Sequence, residues 1–290
     1  MKVFGFIQRQ ALRRRTVRAS FGLLTALLAV VLAACSCGGQ KIDVGDGRQL
    51  YLTCRGGGSP TVVMEAGGAG HSGSWRFVQP DVSEFTRVCV YDRAGTGRSE
   101  SVRPHGTTQA ITEELHALLG AAGVNRPYVL VGHSLGGIIV RQFATDFPNE
   151  IKGMGLVDSS QGDVRAGLQG VLTPEQWEQY GPHDDGFVLP EGTELLGPDL
   201  ADIPLVVLTV GLMGTGPPSD VAERIQEHRL EMHRELLTLS TNSIHMIAEK
   251  SDHGILRNQP EIVVDAISQV VDAVRNHATL DQAVSWVLPE

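Results

Sequence analysis

The chain has 290 residues, a net charge of −9, 42% hydrophobic residues and 20% charged residues. That length suits one large α/β domain or two small ones, and it supplies a core without disulfide or metal staples. The composition excludes wholesale disorder, and the acidic balance excludes electrostatic attraction to nucleic acid.

Residues 1–34 read as a leader and stand apart from the fold. Lys2, Arg9, Arg13, Arg14, Arg15 and Arg18 form a basic segment without an acid, and an apolar run over 21–34 follows. That run is shorter than the ~20 residues of a spanning helix. Leu32-Ala33-Ala34-Cys35 resembles the bacterial lipobox. The resemblance implies a lipoprotein signal peptide over 1–34, lipidation of Cys35 and a lipidated tether over 35–40. It also implies export to the outside face of a bacterial membrane, in the periplasm or at the cell surface. An uncleaved N-terminal anchor is the plainer alternative. Without the leader, eighteen basic residues face thirty-three acidic ones, a net charge of −15. Such a surface repels anionic headgroups, so membrane attachment rests on the lipid.

The folded domain spans 41–290. It opens with a hairpin, 41–44 and 49–54, around Gly45-Asp46-Gly47. Short apolar strands follow at 61–65, 88–91, 128–131, 153–157, 205–210 and 244–248. Those at 128–131, 153–157 and 205–210 alternate little, as expected of parallel strands buried on both faces. Amphipathic helices lie between them: Ile111, Leu115, Leu118 and Leu119 share one face, and Val263, Ala266, Ile267, Val270, Val271 and Val274 another. Alternating β and α segments predict a mostly parallel sheet with helices on both faces. The stretch of about 159–203 breaks this rhythm and is far longer than the usual αβ connection of about 2–6 residues. We read it as a small lid insertion, with Trp177, Tyr180, Phe187 and Leu195 offering an apolar lining; simple packing of these side chains is the alternative. Cys54 and Cys89 each fall in a predicted strand, and at this point a disulfide and two small buried thiols are equally open.

Gly132-His133-Ser134-Leu135-Gly136 fits G-x-S-x-G in its required context, a strand before and a helix after. A sharp strand-to-helix turn raises the serine hydroxyl above the sheet, and glycines on both sides leave room for the strained backbone. A serine needs a base. His253 follows the last strand in the loop Ser251-Asp252-His253-Gly254, at the sheet edge where α/β proteins place their chemistry. His133 is expected to point elsewhere, and His228 and His233 to lie on the surface. Two acids compete between serine and histidine. Asp158 ends the strand 153–157. Asp220 opens a helix with Glu223 three residues on, the spacing of a capping box, and that explains it without catalysis. Asp158 is therefore the chosen acid, with Asp220 the alternative.

With these motifs, and with Glu65-Ala66-Gly67-Gly68-Ala69-Gly70 and Asp92-Arg93-Ala94-Gly95-Thr96-Gly97-Arg98-Ser99, the chain resembles the α/β-hydrolases over nearly all of its folded part. The resemblance implies an eight-stranded α/β-hydrolase fold. It implies an oxyanion hole from the backbone N–H groups of Gly68 and Leu135. The family commonly carries its acid after the penultimate strand, where this sequence has none; some members carry it one strand earlier, as Asp158 would be. The family strand order sets the second and fourth strands side by side, which implies a Cys54–Cys89 disulfide. The expected function is a serine hydrolase, carboxylesterase- or lipase-like, cleaving carboxylic esters with no metal and no cofactor. Amidase, lactonase or thioesterase chemistry with the same triad, and a lipid-anchored binding protein without catalysis, are the alternatives. The expected partners are a small-molecule ester and, through Cys35, the membrane.

Overall fold

The computed structural model describes residues 38–45, 47–100, 107–160, 170–180, 197–211 and 217–280. The chain divides at Gly39/Gln40, and the fold is that of the unit from Gln40 onward. Cys35, the leader, and 161–169 and 181–196 of the expected lid lie outside the described residues, with Phe187 and Leu195 among them.

Eight strands form one sheet: β1 Gln40–Asp43, β2 Gln49–Arg55, β3 Thr61–Glu65, β4 Val88–Tyr91, β5 Tyr128–His133, β6 Ile151–Val157, β7 Leu205–Val210 and β8 Ser243–Ala248. The spatial order is β1-β2-β4-β3-β5-β6-β7-β8. The pairs β1·β2 and β2·β4 are antiparallel and every other pair is parallel. This is the α/β-hydrolase arrangement that the resemblance implied.

The period-2 geometry of a strand sends successive side chains to opposite faces. Val62, Met64, Val129, Val131, Val206 and Leu208 pack on one side, against Val263, Ile267 and Val270 of the helix Pro260–Asn276. Val63, Leu130, Leu205 and Val207 face the other way, toward Leu115, Leu118 and Leu119 of Thr108–Ala121 and Val140 and Phe143 of Leu135–Asp146. Both sheet faces are thus covered, which is why the central strands read as unbroken apolar runs. The remaining α-helices are Gln79–Phe85, Pro174–Tyr180, Ser219–Leu236 and Ile255–Asn258. Among the described residues, and in chain order, we number the seven α1 (Gln79–Phe85) to α7 (Pro260–Asn276).

Cys54 stands opposite Cys89 in the β2–β4 register, and the two are disulfide-bonded. Neighbouring positions on paired strands bring the sulfurs within bonding reach, as the implied strand order required. Trp177 of α4 (Pro174–Tyr180) packs with Leu172 against Val221 and Ile225 of α5 (Ser219–Leu236). That contact is the packing role that the sequence left open for it.

Candidate active site

The parallel strands all end on one edge, and three of those ends carry the site. At the end of β5 the chain turns directly into α3 (Leu135–Asp146), with Ser134 as the intervening residue at φ 54°, ψ −124°. A non-glycine residue there carries backbone strain on the order of 1–3 kcal/mol. The flanking glycines make the turn possible. A Cβ on Gly132 would meet the Gly136 carbonyl oxygen at 2.3 Å, and one on Gly136 would meet the Glu65 carbonyl oxygen at 2.4 Å.

Asp158 follows β6 directly, also at positive φ (39°), and is buried. Its backbone N–H donates to Leu208 O at 2.7 Å, which pins it to the next strand. His253 follows β8, in a loop tightened by Asp252, whose Oδ1 accepts from Gly254 N and Asn258 Nδ2. His253 Nδ1 lies 2.5 Å from Asp158 Oδ2. Burial alone would raise the Asp158 pKa. The hydrogen bond with His253 and the charge of Arg229, 3.9 Å away on α5, outweigh it and hold the carboxyl well below the ordinary carboxylate range. An ionised carboxylate only accepts, so His253 Nδ1 donates to it, and the lone pair of a neutral imidazole here falls on Nε2. The imidazole is 55% exposed and, with Ser134, lines a cavity of about 320 Å³.

The other wall of that cavity is the glycine loop after β3, including Gly67 and Gly68. Arg93 holds this loop from beneath. Its guanidinium meets the Glu65 carboxylate and donates to the carbonyls of Ala66, Gly67 and Gly68. A trans peptide points its N–H opposite to its C=O. With the Gly67 carbonyl turned toward Arg93, the Gly68 N–H points away from that buried cation. Leu135 is the first residue of α3, where N–H groups lack helical partners. Its side chain is buried with Ile111, Ile138 and Ile139.

Asp220, the alternative acid, stands elsewhere: its side chain is 75% exposed and it pairs at 3.9 Å with Arg224. The expected capping box is not formed either. Pro218 is the N-cap of α5 and makes no side-chain cap, so Asp220 is an exposed first-turn acid. Two histidine expectations are also corrected. His133 lines the cavity, packs its ring 4.8 Å from that of His253 and donates from Nε2 to the His253 carbonyl at 3.1 Å. His233 is buried: Nε2 donates to Ser159 O at 2.9 Å and Nδ1 meets Thr209 Oγ1 at 2.6 Å. Sequence reasoning also missed Arg229, whose distance along the chain from Asp158 gives no signal. Among the described residues no group of three or more His, Cys, Asp or Glu is placed to hold a metal ion.

A family model described as the alpha/beta hydrolase fold matches residues 60–185. The uncharacterized protein YqjL of Bacillus subtilis (strain 168) is 32% identical over 264 residues, spanning 85% of this chain and 98% of its own length. The chain belongs to the alpha/beta hydrolase superfamily. A shorter similarity links this hydrolase to the putative carbamate hydrolase RutD of Cronobacter sakazakii, 38% identical over 102 residues, which are 35% of this chain and 38% of that protein. A malate-bound thermophilic esterase from Thermogutta terrifontis shares the fold, with a TM-score of 0.57 and 21% identity over 82% of this chain and 99% of the other.

Beside Asp158, hydrogen bonds run in one direction through Ser159, His233, Thr209 and His245. Ser159 O can only accept, so His233 carries its proton on Nε2 and accepts from Thr209 through Nδ1; Thr209 in turn accepts from His245 Nε2 at 2.7 Å. These histidines are held neutral. Burial, with His253 nearby, lowers His133 to about 4; burial, with His233 nearby, lowers His245 to about 4; burial lowers His233 as well. A histidine whose folded pKa is depressed stabilises fully above its unfolded value of about 6.5, and the contribution is lost as pH falls toward about 4. We expect the unfolding free energy to drop by about 2–4 kcal/mol between pH 7 and pH 4.5, measured by urea titration. An unchanged midpoint across that interval would contradict neutral buried histidines.

Proposed function

We propose that this hydrolase cleaves carboxylic esters through Ser134, His253 and Asp158. The observation that carries the reading is the 2.5 Å contact between His253 and a buried carboxylate, in a cavity that Ser134 also lines. The Ser134 oxygen attacks the carbonyl carbon while its proton passes to His253 Nε2. The carbonyl electron pair moves to oxygen, where the Gly68 and Leu135 N–H groups receive the charge. The tetrahedral centre collapses, the C–O bond breaks, and His253 returns the proton to the leaving alcohol. Water then gives its proton to His253 and attacks the acyl carbon, and Ser134 leaves with that proton. Asp158 keeps Nδ1 protonated and stabilises the imidazolium. Amides, lactones, thioesters and carbamates would enter the same cycle with other leaving groups.

A panel of p-nitrophenyl esters of graded acyl length tests the proposal. Turnover of at least the short members, saturable in substrate, is expected; no turnover of any member would refute it. The reading extends to export and lipid attachment at Cys35. The Cys54–Cys89 disulfide suits an oxidising compartment. Acyl labelling that survived Cys35→Ser would contradict the anchor.

A further inference from the structure

We infer that this hydrolase selects esters that carry a negative charge close to the scissile bond. The inference rests on the esterase reading above and adds the substrate class. Two cations, Arg76 and Arg257, line the same cavity as Ser134 and His253. They come from separate segments: Arg76 directly follows the 3₁₀ turn Ser72–Trp75, and Arg257 lies on α6 (Ile255–Asn258). Both are exposed. Arg76 stacks 4.4 Å over the Phe77 ring and donates to Gly73 O, which fixes it in place and leaves further donors available.

No acid among the described residues lines this cavity. The carboxylates tied to the lining segments are ion-paired or hydrogen-bonded. Glu65 faces Arg93, and Asp158 faces His253 and Arg229. Asp92 accepts from the amides of Ser72 and Arg98, and Asp252 from Gly254 and Asn258. The two buried acids beneath the site each have an arginine partner, and among the described lining residues Arg76 and Arg257 carry the only fixed charges. Two cations and no acid among the described lining residues, on a chain of net charge −9, are a local reversal. A cleft focuses the field of such cations onto an entering ligand, and a guanidinium offers paired donors that fit carboxylate or phosphate.

The test compares matched esters. Mono-p-nitrophenyl glutarate against p-nitrophenyl pentanoate places the charge on the acyl side. 4-Acetoxybenzoate against its methyl ester places a carboxylate on the leaving side, and 4-acetoxyphenyl phosphate against its dimethyl ester places a phosphate there. At low ionic strength we expect one anionic ester to exceed its neutral partner in kcat/KM by about 5- to 20-fold, the scale of two partly screened charges acting in a cleft. The ratio should fall toward one in 0.5 M NaCl and in Arg76→Gln/Arg257→Gln. Wild-type ratios near or below one in all pairs would overturn the inference and leave the esterase reading standing. A preference that survived the double substitution would also overturn it. Hydrolysis of none of these esters would remove the esterase reading itself.

Discussion

Ser134→Ala is expected to lower kcat on p-nitrophenyl esters by at least about 10³-fold, with the protein still folded. The substitution removes one oxygen and keeps Cβ, so the strain of φ 54° is unchanged and the glycine contacts around the turn persist. Ser134 lines the open cavity, so the shorter side chain leaves no buried void. The variant should therefore match wild type in its urea midpoint while losing the acyl-transfer step. The residual rate is what the oxyanion donors and His253-activated water supply without a nucleophile. Unchanged kcat in a homogeneous preparation would mean that another residue attacks the carbonyl.

Asp158→Asn is the second large effect, a loss of about 10²–10⁴-fold in kcat. The asparagine side chain is nearly the same size, so packing is conserved, but its amide can donate where the carboxylate could only accept. An amide N–H facing His253 favours the tautomer with Nδ1 bare and Nε2 protonated, which cannot take a proton from serine. Arg229 at the same time loses its anion. Asp220→Asn is the matched control. Its side chain meets solvent and Arg224, so less than about a twofold change is expected. A large loss in Asp220→Asn with Asp158→Asn active would reverse the assignment of the acid.

The strands were legible because burial on both faces leaves an unbroken apolar run, as at 128–131 and 205–210, and few other environments produce one. The serine turn was legible for a steric reason: Gly132 and Gly136, on either side of it, are positions where a Cβ would strike backbone. The choice of His253 followed from the rule that strand ends on one edge gather the chemistry, whereas the preference for Asp158 over Asp220 leaned on a capping box that is not formed. The disulfide needed strand order, which no local pattern encodes, and the family resemblance provided it. His233 escaped because α5 is largely polar and an imidazole inside it looks like surface; Thr209 and Ser159, far off in sequence, are what bury it. The capping box of Asp220 failed because Pro218 starts the helix earlier and places Asp220 inside the first turn. Arg229, Arg76 and Arg257 act by position in space, and charged residues on helices and turns carry no spacing that separates such roles from solvation.

Covalent capture measures directly whether Ser134 is an activated nucleophile. Folded protein treated with a fluorophosphonate should gain one phosphonyl group per chain, mapped by peptide mass spectrometry to Ser134. The adduct should be absent after denaturation before treatment and absent in Ser134→Ala. A folded, disulfide-intact protein that acquires no label, or acquires it on another residue, would contradict the account and favour a binding protein built on a hydrolase frame.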